Sequence, residues 1–389
     1  MKRRHAGAWV AFGAAAMVGV VLPLLDCWRL AGEVSHPPHD KTFDLTVLGV
    51  QPGAVTLLAT PQTRQRGTYG LQWQRAEGGP VGSGVLGEVL ASDAGTVTRR
   101  CAAQRMPSPG DRARWLVEVW DTNPKAALGL DYSEVHYPGP LGLMPAWLVP
   151  ASRPTWVIQV HGRGGGRSEG LRAMPTLHAL GYPILDIGYR NGEDAPPSPD
   201  GCGHFGDTEW LDLEAAVTYA LHEGASSVIL FGISQGGGIV ETFLHRSHHA
   251  ASVKAVILDA PALDWSAIFN FLAHEAGYPR LLAQGVLRML CLRSGTHLRR
   301  MNALTATRRT GGPAQPVLLL HGTADTTVPF AVSARFASEW PRRVSLVAVE
   351  GAGHDETWNV DPQRYERALS SFLARYATST VSQDSVTQK

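Results

Sequence analysis

The chain has almost no excess charge, with 35 Lys and Arg against 34 Asp and Glu in 389 residues. No basic stripe is visible either, so there is no broad electrostatic case for nucleic acid as a partner. Cysteine is scarce, and Cys27, Cys101, Cys202 and Cys291 are too scattered for a zinc motif and too few for a disulfide scaffold. No internal repeat stands out. Two glycine-rich runs, Gly78–Gly87 and Gly162–Gly166, lack the Gly-Lys-Ser/Thr that a phosphate cradle requires.

The length exceeds the usual single-domain range, which predicts one catalytic domain with appended segments. Met1-Lys-Arg-Arg4 precedes Ala6–Leu25, a stretch of roughly twenty uncharged residues, enough for a helix to cross a bilayer. It is read as an uncleaved transmembrane anchor. Lys2, Arg3 and Arg4 would stay in the cytoplasm, the catalytic domain would lie outside, and Trp28 would sit at the interface. A cleaved signal with a secreted product is the competing expectation, although no A-x-A-like site follows Leu25. An outward-facing domain would permit Cys101, Cys202 or Cys291 to pair. Ser35–Asp40 reads as a stiff polar linker. Residues 41–124, with short alternating runs and turn signals, predict a small β-rich accessory domain in which Gly78–Gly87 is loop. The expected divisions are an anchor over 1–28, the accessory domain, a catalytic domain over 130–376 with a helical lid at about 261–312, and a disordered tail over 377–389.

From Tyr132 onward apolar runs alternate with helical patterns, which predicts a mostly parallel sheet with helices on both faces. Within it Val228–Phe231 runs into Gly232-Ile-Ser234-Gln-Gly236, and a segment that can turn helical follows. At such a strand–turn–helix the serine takes a strained backbone conformation, and small residues two before and two after it let strand and helix pass closely. Ser234 is therefore the candidate nucleophile. The helix N-terminus and the Gln235 N–H beneath it would receive an oxyanion. A serine hydroxyl needs a base, itself held in one tautomer by a carboxylate. Val317–Leu320 leads to Asp325, the candidate acid, and Val344–Val349 leads to His354, the candidate base, in a glycine-flanked loop. Asp259, just after Val256–Leu258, is a second carboxylate ranked below Asp325. The other oxyanion donor should follow Val157–Val160, where the run His161-Gly-Arg163-Gly164-Gly-Gly166 frees backbone N–H groups. Arg163 N–H is the first choice, Gly164 N–H the second, and His161 reads as structural.

Together these segments resemble the α/β-hydrolase family over about Tyr132–Tyr376. The motifs are His161-Gly-Arg-Gly-Gly, Gly232-Ile-Ser-Gln-Gly-Gly, His321-Gly-Thr-Ala-Asp325-Thr-Thr-Val-Pro and Gly353-His354, in the family's order. Asp186-Ile-Gly-Tyr-Arg190 and Ser234-Gln-Gly-Gly look most like the branch that holds acyl esterases and prolyl-oligopeptidase-type peptidases. The strand-rich N-terminal region is too short for that peptidase branch's propeller. The resemblance implies an α/β-hydrolase fold with an eight-stranded sheet and neither metal nor organic cofactor. The expected activity is carboxylic ester hydrolysis through an acyl-enzyme, on a small-molecule or lipid-like acyl substrate. A peptidase or amidase is the alternative, and a catalytically silent surface binding protein is a third reading from another class. The sequence leaves the oligomeric state open. The long connection from Leu258 to Val317 predicts a lid. In it Trp265, Ile268, Phe269 and Leu272 recur at helical spacing, and Leu281–Leu290 makes a second apolar helix flanked by Arg280, Arg288 and Arg293. Trp265, Phe269 and Leu272 are candidate substrate contacts, although the same face would serve equally to pack the lid on the body.

Overall fold

The computed structural model describes residues 27–36, 42–75 and 78–377. After a first helix over residues 27–35, α1, come six strands: β1 (Leu45–Gln51), β2 (Ala54–Leu58), β3 (Tyr69–Gln74), β4 (Gly82–Ser92), β5 (Thr96–Ala102) and β6 (Arg112–Leu116). They close into a barrel in the order β1-β2-β5-β4-β3-β6. Alternate side chains from these strands, among them Val47, Leu57, Leu71, Trp73 and Leu86, fill its interior, as the two-residue period of a strand requires. The run Gly78–Gly87, expected as loop, supplies the start of β4 instead. The reason is steric: a Cβ on Gly82 would stand 2.3 Å from Trp73 Nε1, so glycine here lets the indole lie against the neighbouring strand's backbone.

A short helix, α2 (Pro124–Leu128), capped by the Asn123 side chain, leads into the second body. There β7 (Ser133–Gly139), β8 (Gly142–Val149), β9 (Thr155–Val160), β10 (Ile184–Ile187), β11 (Ser227–Ile233), β12 (Val253–Asp259), β13 (Val317–Gly322) and β14 (Val344–Val349) form one sheet. Its order is β14-β13-β12-β11-β9-β10-β8-β7. β9 to β14 pair in parallel, while β8 is antiparallel to both of its neighbours. Every residue of β11 is buried, as expected of a strand covered on both faces. On one face α4 (Trp210–His222), α5 (Gln235–Arg246) and α9 (Phe330–Glu339) bury Leu213, Val217, Ile239, Phe243 and Phe336. On the other, α3 (Met174–Ala179) and α10 (Pro362–Ala377) bury Leu177, Leu369 and Phe372. Each such side chain contributes about 1.5–3 kcal/mol, and together they hold the strand ends in register for the loops that matter.

Between β12 and β13 stand α6 (Trp265–Glu275), α7 (Arg280–Ser294) and α8 (Ala303–Arg309). α6 starts at Asp264, whose carboxylate accepts from Ala267 N–H at 3.0 Å, a cap typical of Asp. The first two helices share a core with α1: Ala31 and Val34 pack with Phe205, Trp265, Ile268, Leu287 and Leu290.

The membrane-anchored localisation expected from the N-terminus is not supported. No helix among the described residues is long and apolar enough to cross a membrane, and Ala6–Leu25 lies outside the described residues. Trp28, expected at a lipid interface, has the Arg293 guanidinium over its ring at 5.2 Å. The apolar side of α1 is spent on protein packing. No disulfide joins the four cysteines. The tail after Ala377 also lies outside the described residues.

Candidate active site

The turn after β11 puts Ser234 at φ +49° and ψ −113°, a left-handed φ that costs energy in any residue with a side chain. Neighbours hold it there. Ser234 N–H donates to Asp259 O at 2.8 Å, and Ser234 O accepts from Ala262 N–H at 2.9 Å. The flanking glycines are dictated by contact, since a Cβ on Gly232 would meet Gly236 backbone at 2.6 Å and one on Gly236 would meet Val160 O at 2.1 Å.

Two loops at the C-terminal ends of β13 and β14 approach this serine. His354 Nε2 lies 2.9 Å from Ser234 Oγ, and His354 Nδ1 lies 2.7 Å from Asp325 Oδ2. Asp325 is fixed by its own loop: Thr327 and Val328 N–H both donate to Oδ1 at 2.8 Å, and His321 Nε2 sits 3.1 Å from Oδ2. Burial opposes its charge, but the bonds from His321, His354 and Val328 prevail and hold the carboxyl below the usual range. For His354, burial also opposes the charge, yet Asp355 and Asp325 outweigh it and push the imidazole up to about 9. Asp259, the lower-ranked acid, accepts instead from Thr357 Oγ1 at 2.8 Å.

The glycine run after β9 faces the same serine. His161 is buried, stacks on Tyr189 at 4.2 Å and donates from Nδ1 to Gly162 O at 2.8 Å. Burial lowers it to about 4, so it is neutral and holds the turn, as its structural reading anticipates. Gly162 N–H donates to Glu169 Oε2 at 2.6 Å and so is not free for an oxyanion; Arg163 and Gly164, the expected donors, follow it in the loop. The Arg163 side chain turns away, donating to Val34 O and His36 O. Gln235 begins α5, where N–H groups have no intrahelical partner. Arg163, Gly164 and Gln235 line a small cavity of about 10 Å³ together with Tyr189 and Gly192.

Several residues at this site had no signal of their own in the sequence. Glu169 and Asp355 are carboxyls raised by burial, Arg172 is a buried cation beside them, and Asp355 Oδ2 stands 3.4 Å from His354 Nε2. His321 could have been found, because it lies near the end of β13 in the same motif that carries Asp325. The lid residues are placed differently from their expected role. Trp265 is buried, donates from Nε1 to Phe205 O at 2.9 Å and packs on Phe269, while Leu272 is partly exposed. A cavity of about 810 Å³ does open in the lid, lined by Leu287, Cys291, Leu292 and Leu298 among others, but by none of Trp265, Phe269, Leu272 or Ser234. Among the described residues one cluster with metal-ligating chemistry, Glu214, His248 and His249, keeps its donor atoms within 4.8 Å of one another. It lies past the far end of α5 from Ser234, at about 1.5 Å of helix per residue, and so is no part of this site.

Residues 200–380 match the Prolyl oligopeptidase family, and residues 46–116 match a Domain of unknown function (DUF8805). The uncharacterized protein YfhR of Escherichia coli is 23% identical over 215 residues, which is 52% of this chain and 67% of that one. The uncharacterized protein Rv2307c of Mycobacterium tuberculosis is 26% identical over 227 residues, 57% of this chain and 70% of its own length. Among solved structures, the Pyrococcus furiosus esterase Pf2001 superposes with a TM-score of 0.53 at 20% identity, covering 66% of this chain and 95% of that one. These likenesses give the second body the α/β-hydrolase fold and support a hydrolase enzyme.

Proposed function

We propose that the protein is a serine hydrolase that cleaves carboxylic esters through an acyl-enzyme. The observation that carries the reading is the continuous hydrogen-bond chain from Ser234 Oγ through His354 to Asp325. Ser234 Oγ attacks the ester carbonyl carbon as His354 Nε2 takes its proton, and Asp325 holds the imidazole in the Nδ1–H tautomer and offsets the imidazolium charge. The tetrahedral oxyanion is met by N–H groups of Gln235 and of Arg163 or Gly164, with the positive end of α5 behind them. His354 then gives its proton to the departing alkoxide. Water repeats the sequence on the acyl-enzyme and regenerates the serine.

A peptidase reading is favoured by one finding, the match of residues 200–380 to the Prolyl oligopeptidase family. The chemistry is shared up to the leaving group, which for an amide is a nitrogen that must be protonated to depart. A fluorophosphonate probe should label the wild type and leave Ser234→Ala unlabelled. Equal labelling of the two removes Ser234 as nucleophile. Turnover of short acyl esters with none of aminoacyl amides supports the esterase, and the opposite pattern replaces it with the peptidase.

A further inference from the structure

We propose that the six-stranded barrel positions His354, through its loop 63–68 and the coupling residue Asn359. The proposal rests on His354 being the base of the proposed reaction. Its starting point is Arg99, a wholly buried arginine on β5. The guanidinium donates only to backbone carbonyls, those of Thr63, Gln65, Gly67 and Gly87, and lies over the rings of Tyr69 and Trp115 at 5.6 and 5.3 Å. A buried charge is costly unless its hydrogen bonds are satisfied. Here the bonds clamp one loop of the barrel into a single shape.

That loop meets the segment that carries His354. Thr68 N–H donates to Asn359 O at 2.9 Å, while the Asn359 side-chain amide donates to Thr68 O and Val117 O at 2.7 Å each. Its oxygen accepts from Arg172 Nη1 at 3.0 Å, and the same nitrogen donates to Asp355 O. Asn359 is completely buried, so every one of these bonds matters to its satisfaction. On the other side of the histidine, Gln65 Nε2 donates to Glu356 Oε2 at 3.2 Å, and that oxygen accepts from Gly353 N–H at 2.9 Å. The residues just before and just after His354 are therefore tied to the barrel by two separate routes. The fit is close enough to demand glycine at 67, where φ is +117° and a Cβ would lie 2.2 Å from Asn359 O. Asp355, at φ +57°, holds a backbone conformation that persists only when its surroundings impose it.

A base displaced by about 1 Å can cost on the order of 100-fold in rate. The test takes the full chain with Gln65→Ala, Gly67→Ala or Asn359→Ala, and with Leu45→Ala in the barrel core as a control for barrel stability alone. Four quantities are read: kcat and KM on p-nitrophenyl acetate, melting temperature, and the far-downfield imidazole N–H resonance of His354. The loop variants should lose roughly tenfold or more in kcat at unchanged KM while folded, with the resonance displaced or broadened. Leu45→Ala should lower the melting temperature and leave kcat and the resonance alone. Wild-type kcat and resonance in the folded loop variants would overturn the proposal, and Gln65→Ala, which removes a partly exposed side chain, decides it if the other two fail to fold. A resonance that moves in the variants while even the wild type turns over no ester would uphold the positioning and sink the esterase reading instead.

Discussion

Removing a carboxylate from beside the candidate base should raise activity at neutral pH. Asp355 Oδ2 stands 3.4 Å from His354 Nε2, the nitrogen that faces Ser234. Burial disfavours an imidazolium there, but Asp355, Asp325 and Glu169 together lift His354 to about 9. General-base catalysis needs the neutral imidazole, so kcat/KM should rise with pH through an inflection near that value rather than near 6.5. At pH 7 only about one molecule in a hundred would then carry the active form. A full charge at the Asp355 distance would be worth roughly 5 kcal/mol at an effective dielectric of about 20. The real effect is smaller, because the Arg172 guanidinium beside Asp355 offsets part of its charge. We expect Asp355→Asn to bring the inflection down by about 1–2 pH units, or about 1.4–2.7 kcal/mol. Asparagine also tolerates the left-handed backbone at this position. The assay is kcat/KM for a short acyl ester from about pH 5 to 10, a range that brackets both limits. An inflection that stays in place would refute the electrostatic argument. Loss of activity even on the alkaline plateau would show that Asp355 takes part in the reaction itself.

Two further outcomes test the scaffold and the lid. Arg190 meets the fully buried Asp212 with Nε to Oδ2 at 2.7 Å and Nη2 to Oδ1 at 2.8 Å. Arg190→Met should therefore destabilise by about 3–5 kcal/mol in denaturant unfolding, whereas Arg190→Met/Asp212→Leu should recover most of it; an additive double variant would contradict this. Phe269→Ser, which breaks the cluster of Phe269, Trp265 and Phe205, should lower stability by roughly 1–3 kcal/mol and reduce kcat/KM equally for short and long acyl esters. A selective loss on long esters would instead place Phe269 in an acyl pocket.

The elements that were legible in the sequence are those whose signal is local and whose burial is complete. Apolar runs such as Val228–Phe231 and Val317–Leu320 lie inside β11 and β13 because a strand covered on both faces has no polar side to interrupt the run. Ser234, Asp325 and His354 stand at the ends of such runs, so their meeting follows from the order in which parallel strands deliver their C-terminal loops. The barrel was legible only as strand-rich. Its closure depends on pairing β1 with β6 across more than sixty residues of chain, and a glycine that makes room for Trp73 has the same letter as one that makes a loop.

What the sequence could not convey is what covers an apolar or polar face once it is formed. Helical spacing correctly puts Trp265, Ile268 and Phe269 on one side of α6, but only the chain's return over residues 27–35 decides that this side meets Ala31 and Val34. Polar partners are harder still. Asn359 carries no motif, and the three residues it bonds, Thr68, Val117 and Arg172, lie in the barrel, in the link behind it and on the turn before α3. The contacts to Thr68 and Val117 are set by the docking of the two bodies. A buried amide with all its bonds made at such a junction constrains the relative placement of both bodies more tightly than the apolar contacts around it, because hydrogen bonds are directional and dispersion contacts are not. The histidine loop lies directly on that junction, and its position is for this reason a property of the two bodies together rather than of the hydrolase fold alone.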